Sequence, residues 1–121
     1  MADRMKGRPF LDRPGFALAG IRSSWLREAS FRSQARTALA AAVLLAVARP
    51  GPVWTALVAM SAPTVLALEA ANAALEELAD TTHPQHAPGI DRAKDMAAAA
   101  VLIASVGAAV VGCAAAYSVF S

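Results

Sequence analysis

The chain has 121 residues, of which 57% are hydrophobic, 17% are charged and only 6% are aromatic. Soluble domains carry about 25% charged residues, so this composition argues against an ordinary soluble core. The formal net charge of +2 is modest, and its distribution along the chain is more informative than its size. A chain of this length is expected to form a single domain, residues 1–121.

The amino-terminal region is basic, and the sequence predicts a surface arm and helix over residues 1–28. Leu18, Ile21 and Trp25 recur at helical spacing and therefore share one face. An apolar face with a tryptophan and neighbouring arginines is typical of a helix on a membrane surface. A helix packed against the rest of the protein is the alternative. Because an anionic lipid leaflet accounts for the basic residues, we expect no nucleic-acid partner.

The candidates for membrane-spanning helices are three uncharged stretches, at residues 37–48, 50–68 and 96–121. A spanning helix needs roughly 20 apolar residues, a length that the second and third stretches supply. The first is long enough only if its helix begins near Ala29, with Arg32 and Arg36 extending their side chains to the interface. The sequence therefore predicts an all-α integral membrane protein with transmembrane helices at residues 29–48, 51–79 and 93–120.

The distribution of basic and small residues predicts orientation and assembly. Most basic residues precede residue 37, Arg92 and Lys94 lie in the second loop, and no basic residue follows. The positive-inside rule then places the amino terminus and the second loop in the cytoplasm. In the third stretch, Gly112 and Ala116 are spaced for close contact between helix backbones, which favours a homo-oligomer.

Polar residues meet the apolar sequence at one place, where Glu69, Asn72 and Glu76 are spaced by three and four residues. At about 100° per residue they share one helical face. Glu69 directly follows the uncharged stretch and lies about 10 Å deeper than Glu76. Carboxylates at that depth are costly and are candidates for function. We interpret Glu77 and Asp80, further along, as the solvated end of the helix.

Other ionisable groups are predicted to lie at the same membrane face. Glu28 precedes the first span at a matching depth, and Lys94 and Asp95 lie at the start of the third. Carboxylates with a nearby lysine suit Mg²⁺ held together with phosphates, although the sequence contains neither a Walker A motif nor a protein-kinase catalytic loop. Such a stripe also marks cation or proton pathways, an alternative that leaves Glu28, Lys94 and Asp95 without a role.

Three segments carry a resemblance to a known family: GIRSSWLREASFRSQ, EAANAALEELAD and RAKDMAAAAVLIA. They resemble the bacterial integral-membrane diacylglycerol kinases, and the similarity runs from about residue 15 to residue 103. The resemblance implies a homotrimer of three-span subunits in the bacterial inner membrane, with active sites between subunits at the cytoplasmic interface. It also implies transfer of the ATP γ-phosphate to diacylglycerol, with an undecaprenol kinase of the same family as the alternative.

The same resemblance implies roles for individual residues. It makes Glu69 the general base, with Asn72 beside it in the catalytic motif, and it assigns Mg²⁺ to Glu28 and Glu76. The residues implied in nucleotide binding are Glu28, Glu76, Lys94, Asp95, Phe16 and His86. Those implied in binding the lipid acceptor are Arg22, Trp25, Phe31, Arg32 and Glu69.

Some positions depart from the family's pattern. Pro9 stands where a phosphate-facing arginine is expected, which leaves that contact to Arg8 or Arg13. Phe16 replaces a tyrosine and keeps its stacking face. Gln85-His86-Ala87 replaces a triplet that contains glutamate and histidine. None of these differences falls on the carboxylates of the stripe.

Overall fold

The computed structural model describes residues 13–121 and consists, over that range, of four α-helices with no strand. Their bounds are α1 (Arg13–Arg27), α2 (Ala29–Ala48), α3 (Pro52–Thr82) and α4 (Pro88–Phe120). The predicted all-α fold is confirmed. Arg8 and Pro9, two of the positions considered for a phosphate contact, lie outside the described residues.

A single residue separates α1 from α2. Glu28 has extended backbone angles (φ −119°, ψ 109°), yet its N–H still donates to the Ser24 carbonyl at 2.9 Å. The Arg32 side chain crosses the junction and donates to the Trp25 carbonyl at 2.6 Å. The last carbonyls of a helix have no partner within it, so this bond satisfies one of them and ties α1 to α2.

The turn between α2 and α3 is short and sterically constrained. Arg49 caps α2 in the left-handed conformation (φ 49°), and its N–H donates to the Leu45 carbonyl at 3.1 Å. Gly51 also has a positive φ of 104°, which glycine adopts readily because it lacks a Cβ. Pro52 then begins α3, where its missing N–H is not needed. So short a connection makes α2 and α3 antiparallel neighbours.

α3 is the central helix of the molecule. It packs most extensively against α4 and also against α2, whereas α1 contacts both α2 and α3. Phe31, Val65 and Ala115 are the only buried residues in the described part of the chain. Most large apolar side chains of α2, α3 and α4 are therefore exposed in a single chain, a pattern expected where a membrane or other subunits cover the helices.

Two of the described helices are long and apolar enough to cross a membrane, α3 with 31 residues and α4 with 33. α3 covers all of the second predicted span except Gly51 and continues past residue 79 to Thr82, and α4 covers the third and begins five residues before it, at Pro88. Both helices are longer than predicted because polar turns extend beyond the apolar segments. α2, with 20 residues, coincides with the first predicted span. Arg32 and Arg36 make α2 less apolar than the other two, and its membrane crossing stays a prediction.

Arg49→Gly is predicted to stabilise the folded protein. An L-residue with a side chain costs roughly 1–2 kcal/mol in the left-handed region. Glycine avoids this steric cost, but it loses more backbone entropy on folding, which offsets part of the stabilisation. We therefore expect about 0.5–1 kcal/mol of net stabilisation and a higher midpoint in thermal unfolding, followed by circular dichroism. The control is Ala46→Gly in the last turn of α2, which should lower the midpoint. Equal losses in both variants would show that the Arg49 conformation is not strained.

Candidate active site

The polar stripe continues the packed face of α3. Val65 is 4% exposed, and Glu69, Asn72 and Glu76 follow it after four, three and four residues, which is the repeat of one helical face. All three polar side chains are partly buried. The stripe therefore begins at Glu69, one turn from the packed interior, and ends two turns further along at Glu76.

The Asn72 side chain carries an unsatisfied polar atom. Its Oδ1 is buried and accepts no hydrogen bond from any residue in the range 13–121. A buried acceptor without a donor costs roughly 1–3 kcal/mol. This oxygen is therefore suited to a metal ion or to a donor that arrives with a substrate.

Three carboxylates converge at the stripe. Glu28 and Glu76 both lie close enough to Glu69 to interact electrostatically with its carboxylate. Glu28 occupies the N-cap position of α2, but its side chain makes no capping hydrogen bond, so its carboxylate is available to other partners. Because neighbouring like charges disfavour the ionised state, a cation that binds here stabilises the cluster.

The donor atoms of this cluster suit Mg²⁺ better than a softer metal. Glu28, Glu76 and the Asn72 Oδ1 offer oxygen, and Mg²⁺ is usually held by one or two carboxylates together with phosphate oxygens and water. In the described range, no group of three or more histidine, cysteine, aspartate or glutamate side chains is arranged to hold a metal. The residues therefore fit a metal ion that arrives with a phosphate ligand, and they do not form a complete metal centre by themselves.

Lys94 reaches the outer end of the stripe from α4. Its Nζ donates to Asp80 Oδ1 at 2.6 Å, and its charge also interacts with that of Glu76. Asp95, the next residue, is exposed, and its carboxylate forms no ion pair within residues 13–121. The structure thus brings Lys94 to the stripe but gives Asp95 no comparable partner.

A second ion pair joins α1 to α3. Arg27 Nη2 lies 3.5 Å from Glu77 Oε1, and both side chains are well exposed. A groove of about 350 Å³ runs between the two helices and is lined by both residues of this pair, Glu28 and small side chains.

Glu77 and Asp80 are exposed, as predicted for a solvated helix end. Each nevertheless has a cationic partner that sequence reasoning did not identify.

Some of the residues implied in lipid binding lie at the corner between α1 and α2. Phe31 is buried, and Arg32 is bonded to the Trp25 carbonyl. The Arg36 guanidinium carbon lies 5.8 Å from the centroid of the Trp25 ring, a cation–π geometry. Arg22 is exposed on α1. Sequence reasoning did not assign Arg36 to this corner, although its four-residue spacing from Arg32 indicates a shared helical face.

The two outer candidates for nucleotide contact lie on different elements. His86 is exposed in the loop before α4, where its Nδ1 lies 3.1 Å from Asp91 Oδ2. Asp91 belongs to the first turn of α4, so this contact holds the loop against the helix. Phe16 is partly buried on α1.

A cavity lined mainly by small residues lies among the apolar helices. It has a volume of about 270 Å³ between α2, α3 and α4, and Val65 forms part of its wall. Gln34 and Ser105 are among its polar lining groups. The Ser105 Oγ is buried without a hydrogen-bond partner in the described part of the chain. On α3 the lining extends as far as Val65, one helical turn before Glu69 on the same face.

Comparison with known proteins identifies relatives of the chain. The family model for prokaryotic diacylglycerol kinase matches residues 15–116. The chain is 32% identical over 99 residues to the diacylglycerol kinase of Escherichia coli strain K12, and this alignment covers 82% of the chain and 81% of the relative. The diacylglycerol kinase of Shigella flexneri shows the same identity and coverage. The range matched by the family model includes every carboxylate of the cluster.

Asn72→Leu is predicted to raise the stability of the folded protein. Leucine has a similar volume and removes the buried acceptor that lacks a donor, so we expect a gain of about 1 kcal/mol in thermal unfolding of the detergent-solubilised protein. Asn72→Asp is the matched control, and it should lower the midpoint because it adds another negative charge to the cluster. If both variants lose stability equally, the Asn72 Oδ1 must have a partner in the folded protein.

Proposed function

The chain belongs to the prokaryotic diacylglycerol kinase family, and on that premise we propose that it transfers the γ-phosphate of ATP to the free hydroxyl of diacylglycerol, giving phosphatidic acid. Family membership makes the chain a lipid kinase and hence an enzyme. The observation that carries the proposed site is that the charges of Glu28 and Glu76 both act on Glu69, while Lys94 interacts with Glu76. Such a set can supply metal ligands, a general base and a phosphate-binding cation.

Glu69 is the proposed general base. It follows the buried Val65 on the same face of α3, where a lipid held in the bilayer by its tails can present its hydroxyl. As the hydroxyl oxygen forms its bond to the γ-phosphorus, the bond from that phosphorus to the bridging oxygen of ADP breaks, and Glu69 takes the hydroxyl proton. Asn72, on the same face, is proposed to orient the reacting groups through its amide.

Glu28 and Glu76 are the proposed ligands of Mg²⁺. Both offer carboxylate oxygens close to Glu69, and Glu76 lies about 10 Å nearer to water than Glu69 does, which suits a ligand that meets a soluble nucleotide. When bound, Mg²⁺ neutralises charge on the transferring phosphate. The two carboxylates would hold the metal and its nucleotide next to the proposed base, Glu69.

The remaining site residues are proposed to bind the two substrates. Lys94 is proposed to contact the phosphates of ATP, because its ammonium group lies at the outer end of the stripe. The proposed outer contacts of the nucleotide are Asp95, Phe16 and His86. The proposed contacts of the lipid are Arg22, Trp25, Phe31 and Arg32, two of which, Trp25 and Arg32, are hydrogen-bonded at the α1–α2 corner.

The protein is proposed to lie in the bacterial inner membrane with three spans, α2, α3 and α4, and with α1 on the cytoplasmic surface. The apolar lengths of α3 and α4 and the basic amino-terminal region support this arrangement, which places the carboxylates on the side where ATP is found.

A homotrimer with active sites shared between subunits is proposed as well. The exposed apolar side chains of α2 to α4 and the small residues of α4 support such an assembly.

The identity of the lipid that accepts the phosphate is tested by incubating the purified protein with labelled ATP, Mg²⁺ and either diacylglycerol or undecaprenol. We expect labelled phosphatidic acid from diacylglycerol and little product from undecaprenol. Labelled undecaprenyl phosphate alone would assign the chain to the other branch of the family. No labelled lipid from either acceptor would contradict the proposed reaction.

Glu69→Gln should lower turnover by roughly 10²–10⁴, the usual range when a general base is lost. Glutamine keeps the shape and a hydrogen-bonding tip but cannot accept the hydroxyl proton. Nucleotide affinity, measured on the same purified variant by calorimetry, should stay within a few-fold of the parent. Turnover within a few-fold of the parent would exclude Glu69 as the base, and a collapse of nucleotide affinity would place it among the metal ligands.

Mixed oligomers test whether sites are shared between subunits. Glu28→Gln and Glu69→Gln should each be nearly inactive alone. Glu28 and Glu69 already interact within one chain, so recovery requires that Glu28 also reach the Glu69 of a neighbouring subunit. In that case co-assembly restores some sites that contain both native residues, and activity should recover to a measurable fraction of the parent. Cross-linking confirms that mixed oligomers have formed. Mixed oligomers without recovered activity would place each site within a single chain.

A further inference from the structure

Asp80 is not among the residues of the proposed site. It lies on α3 four residues beyond Glu76, so it extends the stripe outward by about 6 Å on nearly the same face. Its Oδ1 accepts a hydrogen bond from Lys94 Nζ at 2.6 Å. The Asp80 side chain is 68% exposed and that of Lys94 only 32%, so the lysine is the more enclosed member of the pair.

Other carboxylates close to Lys94 do not hold its ammonium group. Asp91, three residues earlier on α4, is paired with a loop histidine at 3.1 Å. Asp95 follows Lys94 directly, and adjacent residues on a helix do not face each other. Glu76 interacts with Lys94 through its charge but forms no ion pair with it at contact distance. Among residues 13–121, Asp80 is therefore the group that fixes the position of the Lys94 ammonium.

A fixed ammonium group has an advantage in binding phosphate. A lysine side chain is flexible, and it loses rotamer freedom when a ligand immobilises its ammonium group. If a neighbouring carboxylate holds that group in advance, ligand binding carries a smaller entropic penalty. The ammonium has three N–H donors, and the bond to Asp80 occupies one of them. Two donors remain for the oxygens of a phosphate.

We propose that Asp80 is a positioning residue for the nucleotide, whose carboxylate holds the Lys94 ammonium at the outer end of the stripe, where it binds the phosphates of ATP. This inference rests on the proposed function, because it requires Lys94 to contact phosphate. Asp80 acts through Lys94 and does not itself touch the nucleotide, since a carboxylate that faced a phosphate would repel it.

The test uses Asp80→Ala in the full-length purified kinase, with diacylglycerol as acceptor. We expect the KM for ATP to rise about three- to tenfold, the range for losing a charge-assisted hydrogen bond at a largely exposed site, while kcat changes by less than twofold. Calorimetric binding of a non-hydrolysable ATP analogue should weaken by the same factor. Asp80→Glu should restore most of the affinity, and Asp80→Asn, which keeps an acceptor oxygen without the charge, should lie between.

Glu77→Gln is the matched control. Glu77 is an exposed carboxylate on the same helix and is paired with Arg27 instead of Lys94, so its loss should leave the KM for ATP unchanged. An equal rise in KM for Glu77→Gln and Asp80→Ala would mean that general surface charge controls affinity, and it would overturn the positioning role.

Lys94→Met separates failure of this inference from failure of the proposed nucleotide site. We expect Lys94→Met to weaken analogue binding, and Asp80→Ala to add nothing further when the two changes are combined. Unchanged binding in Lys94→Met would remove Lys94 from the nucleotide site and the inference with it. If Lys94→Met weakens binding while Asp80→Ala does not, or if the two losses are additive, the nucleotide site stands and Asp80 does not position Lys94.

Discussion

The mutual repulsion of carboxylates near Glu69 sets the electrostatic constraint on which the candidate site depends. Glu69 interacts with the charges of both Glu28 and Glu76, and grouped like charges are unfavourable unless a cation offsets them. At the outer end of the cluster the chain supplies a cation of its own, the Lys94 ammonium group. The cluster also supplies oxygen ligands for a metal ion that binds from solution. A nucleotide that brings Mg²⁺ into the cluster would therefore relieve the repulsion that the site itself creates.

The ends of the helices bring these charges together. The chain leaves helical geometry for one residue at Glu28, and α3 continues to Thr82, so that Glu76 and Asp80 lie on ordered turns beyond the apolar stretch. Ion pairs then join α1 and α4 to this part of α3. Exposed ion pairs contribute only about 0–1 kcal/mol each, so their main effect is to orient the helices rather than to stabilise them.

Features that depend on one helix were predictable from the sequence, whereas the ion pairs between helices were not. The all-α fold follows from the length of the apolar stretches, and the common face of Glu69, Asn72 and Glu76 follows from the fixed period of a helix. The pairing of Lys94 with Asp80 depends instead on how α4 is rotated against α3 and on the path of the connecting loop. Spacing along the chain leaves that rotation open, because other carboxylates lie within reach of the same lysine.

Binding of Mn²⁺, a paramagnetic substitute for Mg²⁺, tests the central claim that the carboxylate cluster holds a metal–nucleotide complex. Electron paramagnetic resonance can follow the titration in the presence of a non-hydrolysable ATP analogue, for the parent, Glu28→Gln, Glu76→Gln and Glu77→Gln. We expect Mn²⁺ affinity to fall about tenfold or more when either proposed carboxylate ligand is lost, and to stay unchanged in Glu77→Gln. Equal Mn²⁺ affinity in all four proteins would contradict a metal-binding role for this cluster.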